Sequence, residues 1–104
     1  MHPTDHIQLV TFHLAGLAPD AYRAHCEQSA PAFAEMPGLR AKAWLANPST
    51  NTYGGVYAWE SRAAMDAYVS GPVFAELLAN PAMANVTTRD FAVLERPTEI
   101  TRRR

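Results

Sequence analysis

Six residues of this chain could together hold and activate an aromatic molecule: four aromatic side chains and two cations. In chain order they are Lys42, Trp44, Tyr57, Trp59, Arg89 and Phe91. Apolar walls shape a ligand pocket, and preorganised cations stabilise an anion inside it. An acidic aromatic molecule that loses a proton becomes such an anion, and in that form it can react with oxygen. For the aromatic residues, ordinary core packing is the competing interpretation.

Each cation also has an alternative role. Lys42 alternates onto the same face as Trp44 in a strand that is otherwise apolar. It therefore lies either at a pocket or at a sheet edge, where its ammonium group reaches water. Arg89 shares a face with Phe91, and it could pair with a neighbouring acid instead of a ligand.

Two adjacent glycines, Gly54 and Gly55, lie inside a predicted strand. Glycine weakens a strand, and it usually marks a bulge or a place where another group approaches the backbone. The pair therefore predicts either room for a ligand or a bulge that shapes the sheet for dimer packing.

The histidines and the cysteine offer a general base but no other reactive centre. His13 lies on the first predicted strand and His25 on the first helix; either could be a general base if it faced a pocket, and a surface position is the alternative. His2 and His6 lie in a terminal segment, and no metal site is predicted from them. Cys26 projects about 100° away from His25 around the helix, which argues against a Cys-His nucleophile. Hydrolase and kinase motifs are absent from the sequence.

Length and composition predict a single domain, residues 1–104, whose ends, 1–5 and 98–104, are expected to be flexible or to form dimer arms. The formal net charge is -1 and the isoelectric point is about 6.4, so nucleic acid and membranes are not expected partners. The sequence has one cysteine, and it contains neither a signal-like segment nor an apolar stretch long enough for a bilayer. These features predict a cytoplasmic protein.

The elements that must position these residues follow from hydrophobic periodicity and turn residues. Helices are predicted to begin near Pro19 and after Ser61, which caps the second one, and Pro31 predicts a kink or two short helices. The predicted strands are 6–14, 39–46, 53–60 and 86–95. The order β-α-β-β-α-β predicts an α+β, ferredoxin-like fold with a four-stranded antiparallel sheet and both helices on one face.

The predicted strands 39–46 and 53–60 form the two arms of a central hairpin. Both arms are apolar or small on both faces, as in strands that are covered on both sides. The helices of a 104-residue chain can cover only one face of the sheet. A second copy of the chain is the simplest cover for the other face, so the sequence predicts a homodimer.

A set of residues at characteristic separations runs from the first strand to about Thr101. Its members are Pro37, Gly38, Leu39, Lys42, Trp44, Gly54, Gly55, Val56, Tyr57, Ala64, Tyr68, Arg89, Phe91 and Val93. This set resembles the YdhR-like family of monooxygenases. The resemblance implies a dimeric α+β barrel in the wider group that includes cofactor-free antibiotic-biosynthesis monooxygenases, which insert oxygen into electron-rich aromatic substrates without flavin or metal.

The same fold group contains heme-degrading enzymes, and the segment 59–74 resembles theirs. In that branch a histidine near the end of the second helix ligates the iron. Here Leu78 or its neighbour stands at that place, and no histidine follows His25. The resemblance therefore implies no cofactor and no heme bound in that mode.

The leading hypothesis is a homodimeric, cofactor-independent monooxygenase that acts with molecular oxygen on a small aromatic or polyketide-like substrate, in a pocket between sheet and helices. A non-catalytic barrel that binds a small hydrophobic metabolite, and a lyase or isomerase on the same fold, are the alternatives. The predicted catalytic residues are Trp59, Tyr57 and His13. The predicted substrate-binding residues are Lys42, Trp44, Gly54, Gly55, Tyr68, Arg89 and Phe91, and no metal ligand is predicted.

Overall fold

The computed structural model describes His2 and residues 4–102 of the chain. Its elements follow in the order β1 (His6–Leu14), α1 (Pro19–Ala34), β2 (Leu39–Asn47), a short 3-10 helix (Pro48–Thr50), β3 (Thr52–Trp59), α2 (Arg62–Val69), α3 (Pro72–Ala79), β4 (Met83–Ala92) and α4 (Glu95–Thr101). The predicted β-α-β-β-α-β order is confirmed. The helices α2 and α3 together take the place of the second predicted helix, and α4 follows the last strand.

The four strands form one antiparallel sheet in the order β2-β3-β1-β4. The predicted α+β class and four-stranded antiparallel sheet are therefore confirmed. The first and last strands are neighbours, and the two arms of the hairpin, β2 and β3, form the other side of the sheet. This arrangement is the ferredoxin-like topology.

The last strand begins and ends three residues before the predicted segment 86–95. Its pairing with β1 is irregular between Thr11 and His13, and Asn85 beside this irregularity has a left-handed φ of 57°. An irregularity of this kind breaks the alternation of side chains, which is the pattern that locates a strand in a sequence.

The helices begin at the residues that the sequence indicated. Pro19 and Asp20 lie in the first turn of α1, and Oγ of Ser61 accepts a hydrogen bond from the backbone N–H of Ala64 at 3.1 Å, which caps α2. The helix α1 continues through Pro31 and does not divide into two short helices. The proline lies in the last turn, where it removes a single backbone hydrogen bond.

Within the part of the chain that the structure describes, no helix has the length and apolar character needed to cross a membrane.

The hydrophobic core lies between one face of the sheet and the helices α1, α2 and α3. On β1 this face carries Gln8, Val10 and Phe12, all of them buried. Because side chains alternate along a strand, these residues define the face that meets the helices. The other core residues are Tyr22, Tyr53, Tyr57, Trp59, Met65, Tyr68, Phe74 and Met83.

The opposite face of the sheet carries apolar side chains that α1, α2 and α3 leave uncovered. On this face Leu9 pairs with Val56 and Ile7 pairs with Phe91, and Phe91 is 54% exposed. A contiguous apolar surface of this kind is typical of a protein–protein interface. The homodimer stays a prediction, because the structure contains one chain.

The ends of the chain differ in how they meet the domain. Asp5, in the segment 1–5, is buried, and its carboxylate lies 2.9 Å from Nε of Arg40. At the other end, α4 extends into the segment 98–104. The residues that lie outside the described part of these two segments are Met1, Pro3, Arg103 and Arg104.

Candidate functional site

A cavity of about 190 Å³ lies between the sheet and the helices α1, α2 and α3. Its volume exceeds the ~150 Å³ of an apolar cavity that binds benzene, and it is below the ~300 Å³ at which pockets for drug-sized ligands begin. A ligand of one or two rings therefore suits it. The residues that line it are Phe12, Tyr22, His25, Cys26, Ser29, Phe33, Lys42, Trp44, Gly54, Tyr57, Tyr68, Val73, Glu76, Leu77, Asn80 and Met83.

Lys42, the only lysine of the chain, extends from β2 into this cavity. Its Nζ lies 3.3 Å from the centre of the Trp44 ring, 3.7 Å from that of Phe33 and 4.7 Å from that of Tyr57. All three distances are within the ~6 Å over which a ring face attracts a cation. Lys42 therefore lies at the cavity, although β2 is also an edge strand of the sheet.

The two glycines of β3 have different roles. A Cβ at position 55 would lie 2.8 Å from Cε of Lys42, so Gly55 leaves the space that the lysine chain occupies. Gly54 has a φ of 152°, and a Cβ there would lie 1.8 Å from the carbonyl oxygen of Val10. Gly54 therefore allows β1 and β3 to approach closely, whereas Gly55 makes room for a side chain.

Burial lowers the pKa of Lys42 to about 7, because the ammonium group loses its hydration in an apolar site. The neighbouring Cys26 opposes this shift. A lysine with this pKa is partly a free amine at neutral pH. It can therefore accept a proton, and in its protonated form it can balance an anion.

Three tyrosine hydroxyl groups face the same space as Lys42. The hydroxyl oxygens of Tyr57 and Tyr68 lie 3.3 Å apart. Burial raises the pKa of Tyr57, Tyr68 and Tyr22, and the neighbouring Tyr68 raises that of Tyr57 further. All three side chains therefore stay neutral near pH 7 and can donate hydrogen bonds to a ligand.

Trp59 lies behind the cavity wall. It is fully buried, at 0% exposure, and its Nε1–H donates a hydrogen bond to Oε1 of Gln8 at 2.9 Å. Its ring stacks on that of Tyr57, with the centroids 5.8 Å apart. In this position Trp59 supports the wall but does not line the cavity. A substrate in the cavity would therefore not contact Trp59, which was predicted to be catalytic.

Three other predicted site residues lie on the opposite face of the sheet. Arg89 and Phe91 pair with residues of β1 that point away from the core. His13 follows the same alternation, and its Nδ1 lies 3.2 Å from Nδ2 of Asn85. The structure does not bring these three residues to the cavity. Alternation shows which residues of one strand share a face, but it does not show which face meets the helices.

The structure brings together five of the predicted substrate-binding and catalytic residues at the cavity, and it adds residues from the helices. Those that meet there are Lys42, Trp44, Gly54, Tyr57 and Tyr68. The helix residues that the site prediction missed are Tyr22, Cys26, Ser29, Phe33, Val73, Glu76, Leu77 and Asn80. Four of these lie on one stripe of α1 at helical spacing, a pattern that is typical of a packed core and equally of a cavity wall.

Comparison with known families gives one match. A protein-family model described as "Putative mono-oxygenase ydhR" matches residues 7–104. No curated protein matches the chain.

Several solved structures share the fold. A protein of unknown function from Nitrosomonas europaea is 21% identical, with 90% of this chain and 93% of that chain covered and a TM-score of 0.73. SnoaB, a cofactor-independent oxygenase from Streptomyces nogalater, is 20% identical over 88% of this chain and 94% of that one, with a TM-score of 0.68. The heme-degrader MhuD from Mycobacterium tuberculosis was solved with two hemes bound in its active site. It is 22% identical over 86% of this chain and 95% of that one, with a TM-score of 0.68. At these identities the similarity shows a common fold.

Proposed function

The chain belongs to the YdhR mono-oxygenase family, and from this premise we propose that it oxygenates a small, acidic aromatic substrate without a cofactor. The observation that carries the proposal is the position of Lys42, whose Nζ lies among three ring faces at the cavity wall. Its lowered pKa provides a base near neutral pH. The fold shared with SnoaB, a cofactor-independent oxygenase, supports the class of reaction.

In the proposed reaction the acidic group of the substrate lies beside Nζ of Lys42. The free amine accepts the proton, and the ammonium group that results stays beside the substrate anion and stabilises it. Tyr57 and Tyr68 donate hydrogen bonds to the substrate oxygen. The anion gives its electrons to molecular oxygen: a methylene carbon becomes a carbonyl, one oxygen atom enters the product, and the other leaves as water.

A heme held from α3 does not fit the residues present. This helix contributes Val73, Glu76, Leu77 and, at its end, Asn80 to the cavity, and none of them is a histidine, cysteine or tyrosine, the usual protein ligands of heme iron. A cavity of about 190 Å³ is also small for a porphyrin. Among His2 and residues 4–102, no group of three His, Cys, Asp or Glu side chains could hold a metal ion.

Oxygen uptake by purified, metal-free protein tests the proposal, with a panel of anthrone-type and quinol-type substrates. We expect uptake above the buffer rate together with an oxidised product. The panel should include one-ring and two-ring substrates that carry an acidic methylene group, because the proposed reaction oxidises such a group and the cavity volume of about 190 Å³ favours small substrates. No uptake with any member would contradict the proposal.

Two alternatives explain the same aromatic walls. A non-catalytic barrel would bind a small hydrophobic metabolite and return it unchanged, with a raised melting temperature as the sign of binding. A lyase or isomerase would use the same base, Lys42, and would form its product in the absence of oxygen. Product analysis after incubation with and without oxygen separates all three functions, because the oxygenase forms product only with oxygen, the lyase or isomerase forms it under both conditions, and the barrel under neither.

Tyr57 and Trp59 are expected to respond differently to replacement by phenylalanine. Tyr57→Phe removes a hydroxyl group at the cavity, and we expect kcat to fall about tenfold, the value of one neutral hydrogen bond. Trp59→Phe leaves Oε1 of Gln8 without its donor, so we expect a loss of about 1–3 kcal/mol in the free energy of unfolding and little change in kcat. Steady-state kinetics and chemical denaturation of both variants check this. A larger loss of kcat in the Trp59 variant would place Trp59 in the reaction after all.

We propose that the protein works as a homodimer, with the uncovered face of the sheet as the interface. Leu9 and Val56 lie paired on that face, which also carries Ile7 and the exposed Phe91. A cytoplasmic location is proposed with it, because Cys26 is the only cysteine and has no partner within the chain for a disulfide.

Val56→Asp is expected to convert the dimer to a monomer, because it places a charge in the middle of the apolar interface. The matched control is Ala63→Asp, which adds the same charge on the exposed surface of α2. Light scattering should give twice the chain mass of 11.4 kDa for the wild type and the control, and the chain mass for the Val56 variant. A monomeric wild type at micromolar concentration would contradict the proposed interface.

A further inference from the structure

The distribution of cations in this chain is unusual. The sequence has nine lysine and arginine residues, and eight of them are arginines. The single lysine, Lys42, lies at the cavity wall and is half-buried. The ion pairs among the described residues are made by arginine and histidine side chains, whereas the neighbours of Nζ of Lys42 are ring faces.

An amine in such a place has a chemistry that an arginine does not have. A guanidinium group would balance an anion equally well, but it cannot lose its proton in a protein and is not a nucleophile. A lysine whose ammonium group is poorly hydrated becomes a nucleophile toward carbonyl compounds. We propose that Lys42 forms an imine with the carbonyl group of an aromatic aldehyde or ketone that binds in the cavity.

The proposed step is balanced without an oxidant or a reductant. The nitrogen lone pair of Lys42 attacks the carbonyl carbon, and a carbinolamine forms. The carbinolamine oxygen then takes up a proton and leaves as water, and a carbon–nitrogen double bond replaces the carbon–oxygen double bond. The protonated imine is a cation, and the rings of Trp44 and Phe33 that attract the ammonium group stabilise it in the same way.

The surrounding groups favour this step. Tyr57 contacts the lysine with its ring and pairs its hydroxyl group with that of Tyr68, so neutral donors are available for the carbonyl oxygen and for the water that leaves. Burial makes about half of the Lys42 side chains free amines at pH 7. The other titratable groups that face the cavity are Tyr22, His25 and Cys26 on α1, and Glu76 on α3.

Reductive trapping tests the inference on the whole chain, without oxygen and without turnover. The protein is incubated with benzaldehyde and cyanoborohydride, and the adduct is measured by intact mass and located by peptide mapping. We expect a benzyl group on Lys42, in addition to the adduct that the α-amino group forms. At pH 7 the rate should exceed that of N-acetyl-lysine amide on the order of tens of times, because far more of the amine is free. The rate should show a midpoint near the pKa of about 7.

The control variant is Lys42→Arg, which keeps the positive charge and the contacts with the rings but cannot form an imine. We expect only the reaction of the α-amino group in this variant. Peptide mapping of the wild type decides the position of the adduct even if the variant does not fold. An adduct confined to the α-amino group, or a Lys42 adduct with the rate and pH midpoint of N-acetyl-lysine amide, would overturn the inference. The result is independent of oxygen uptake, so the imine and the proposed oxygenation can fail separately.

Discussion

Gly54→Ala is expected to destabilise the protein more than any other change considered. A Cβ at this position would lie 1.8 Å from the carbonyl oxygen and 2.8 Å from the carbonyl carbon of Val10. These are backbone atoms of the neighbouring strand, so the contact can be relieved only if β1 and β3 separate. The backbone φ of 152° adds strain, because residues other than glycine rarely adopt it.

We expect the Gly54 variant to lose more than ~4 kcal/mol of the ~5–15 kcal/mol that stabilise a typical domain. Chemical denaturation followed by circular dichroism measures this loss. Gly16→Ala is the matched control: Gly16 has a φ of 72°, but nothing lies within 4 Å of the added methyl group, so only the cost of the backbone conformation, about 1 kcal/mol, is expected. Equal losses in the two variants would show that the close approach of β1 and β3 does not matter.

Lys42→Met is expected to abolish oxygen uptake while the protein becomes more stable. Methionine keeps most of the length of the side chain but cannot accept a proton or balance an anion, so we expect kcat to fall at least ~100-fold, the usual range for a lost general base. At pH 7 the variant should be about 1–3 kcal/mol more stable than the wild type, because burial of an ammonium group costs free energy that a thioether does not. Activity and stability therefore change in opposite directions.

The gain in stability should depend on pH in a defined way. The pKa of Lys42 is lowered from the ordinary 10.5 to about 7 in the folded chain. Below about pH 7 both the folded and unfolded wild type bind the proton, and the cost of burial is fully present. Between about pH 7 and 10.5 the unfolded chain binds more protons than the folded one, so the stability of the wild type rises with pH.

The difference between the Lys42→Met variant and the wild type should therefore be largest below about pH 7 and should disappear toward pH 10.5. Urea denaturation of both proteins at several pH values measures this difference, and other titrating groups cancel in it. A difference that does not change with pH would show that Lys42 keeps its ordinary pKa in the folded chain. Retained oxygen uptake in the variant would remove Lys42 from the proposed reaction.

The half of the site that lies on the hairpin could be predicted from the sequence. Alternation placed Lys42 and Trp44 on one face of β2. The two glycines, Gly54 and Gly55, were interpreted either as room for a ligand or as a bulge. Those inferences need only the order of residues within one strand. Similarly, the Ser61 cap depends on residues three positions apart, so it could be predicted locally.

The other half could not be predicted, because it depends on contacts between distant segments. Arg89 and Phe91 share a face, as predicted, but the register of β4 against β1 places that face away from the helices. The alternation of apolar and polar residues does not reveal the irregularity near Asn85. For this reason β4 was predicted to begin later in the chain than it does. Tyr22 and Phe33 lie on one face of α1 at helical spacing, and that spacing cannot distinguish a packed interior from the wall of a cavity.

The contrasting positions of the two tryptophans have an optical consequence. The indole of Trp59 is fully buried and hydrogen-bonded to Gln8, so its fluorescence should be shifted to short wavelength and should change only when the chain unfolds. Trp44 is partly exposed and has Nζ of Lys42 3.3 Å above its ring. Its emission should therefore follow protonation of the lysine and the arrival of a ligand. Two variants that each keep a single tryptophan would separate these signals. The one that keeps Trp59 would report folding, and the one that keeps Trp44 would report occupancy of the cavity.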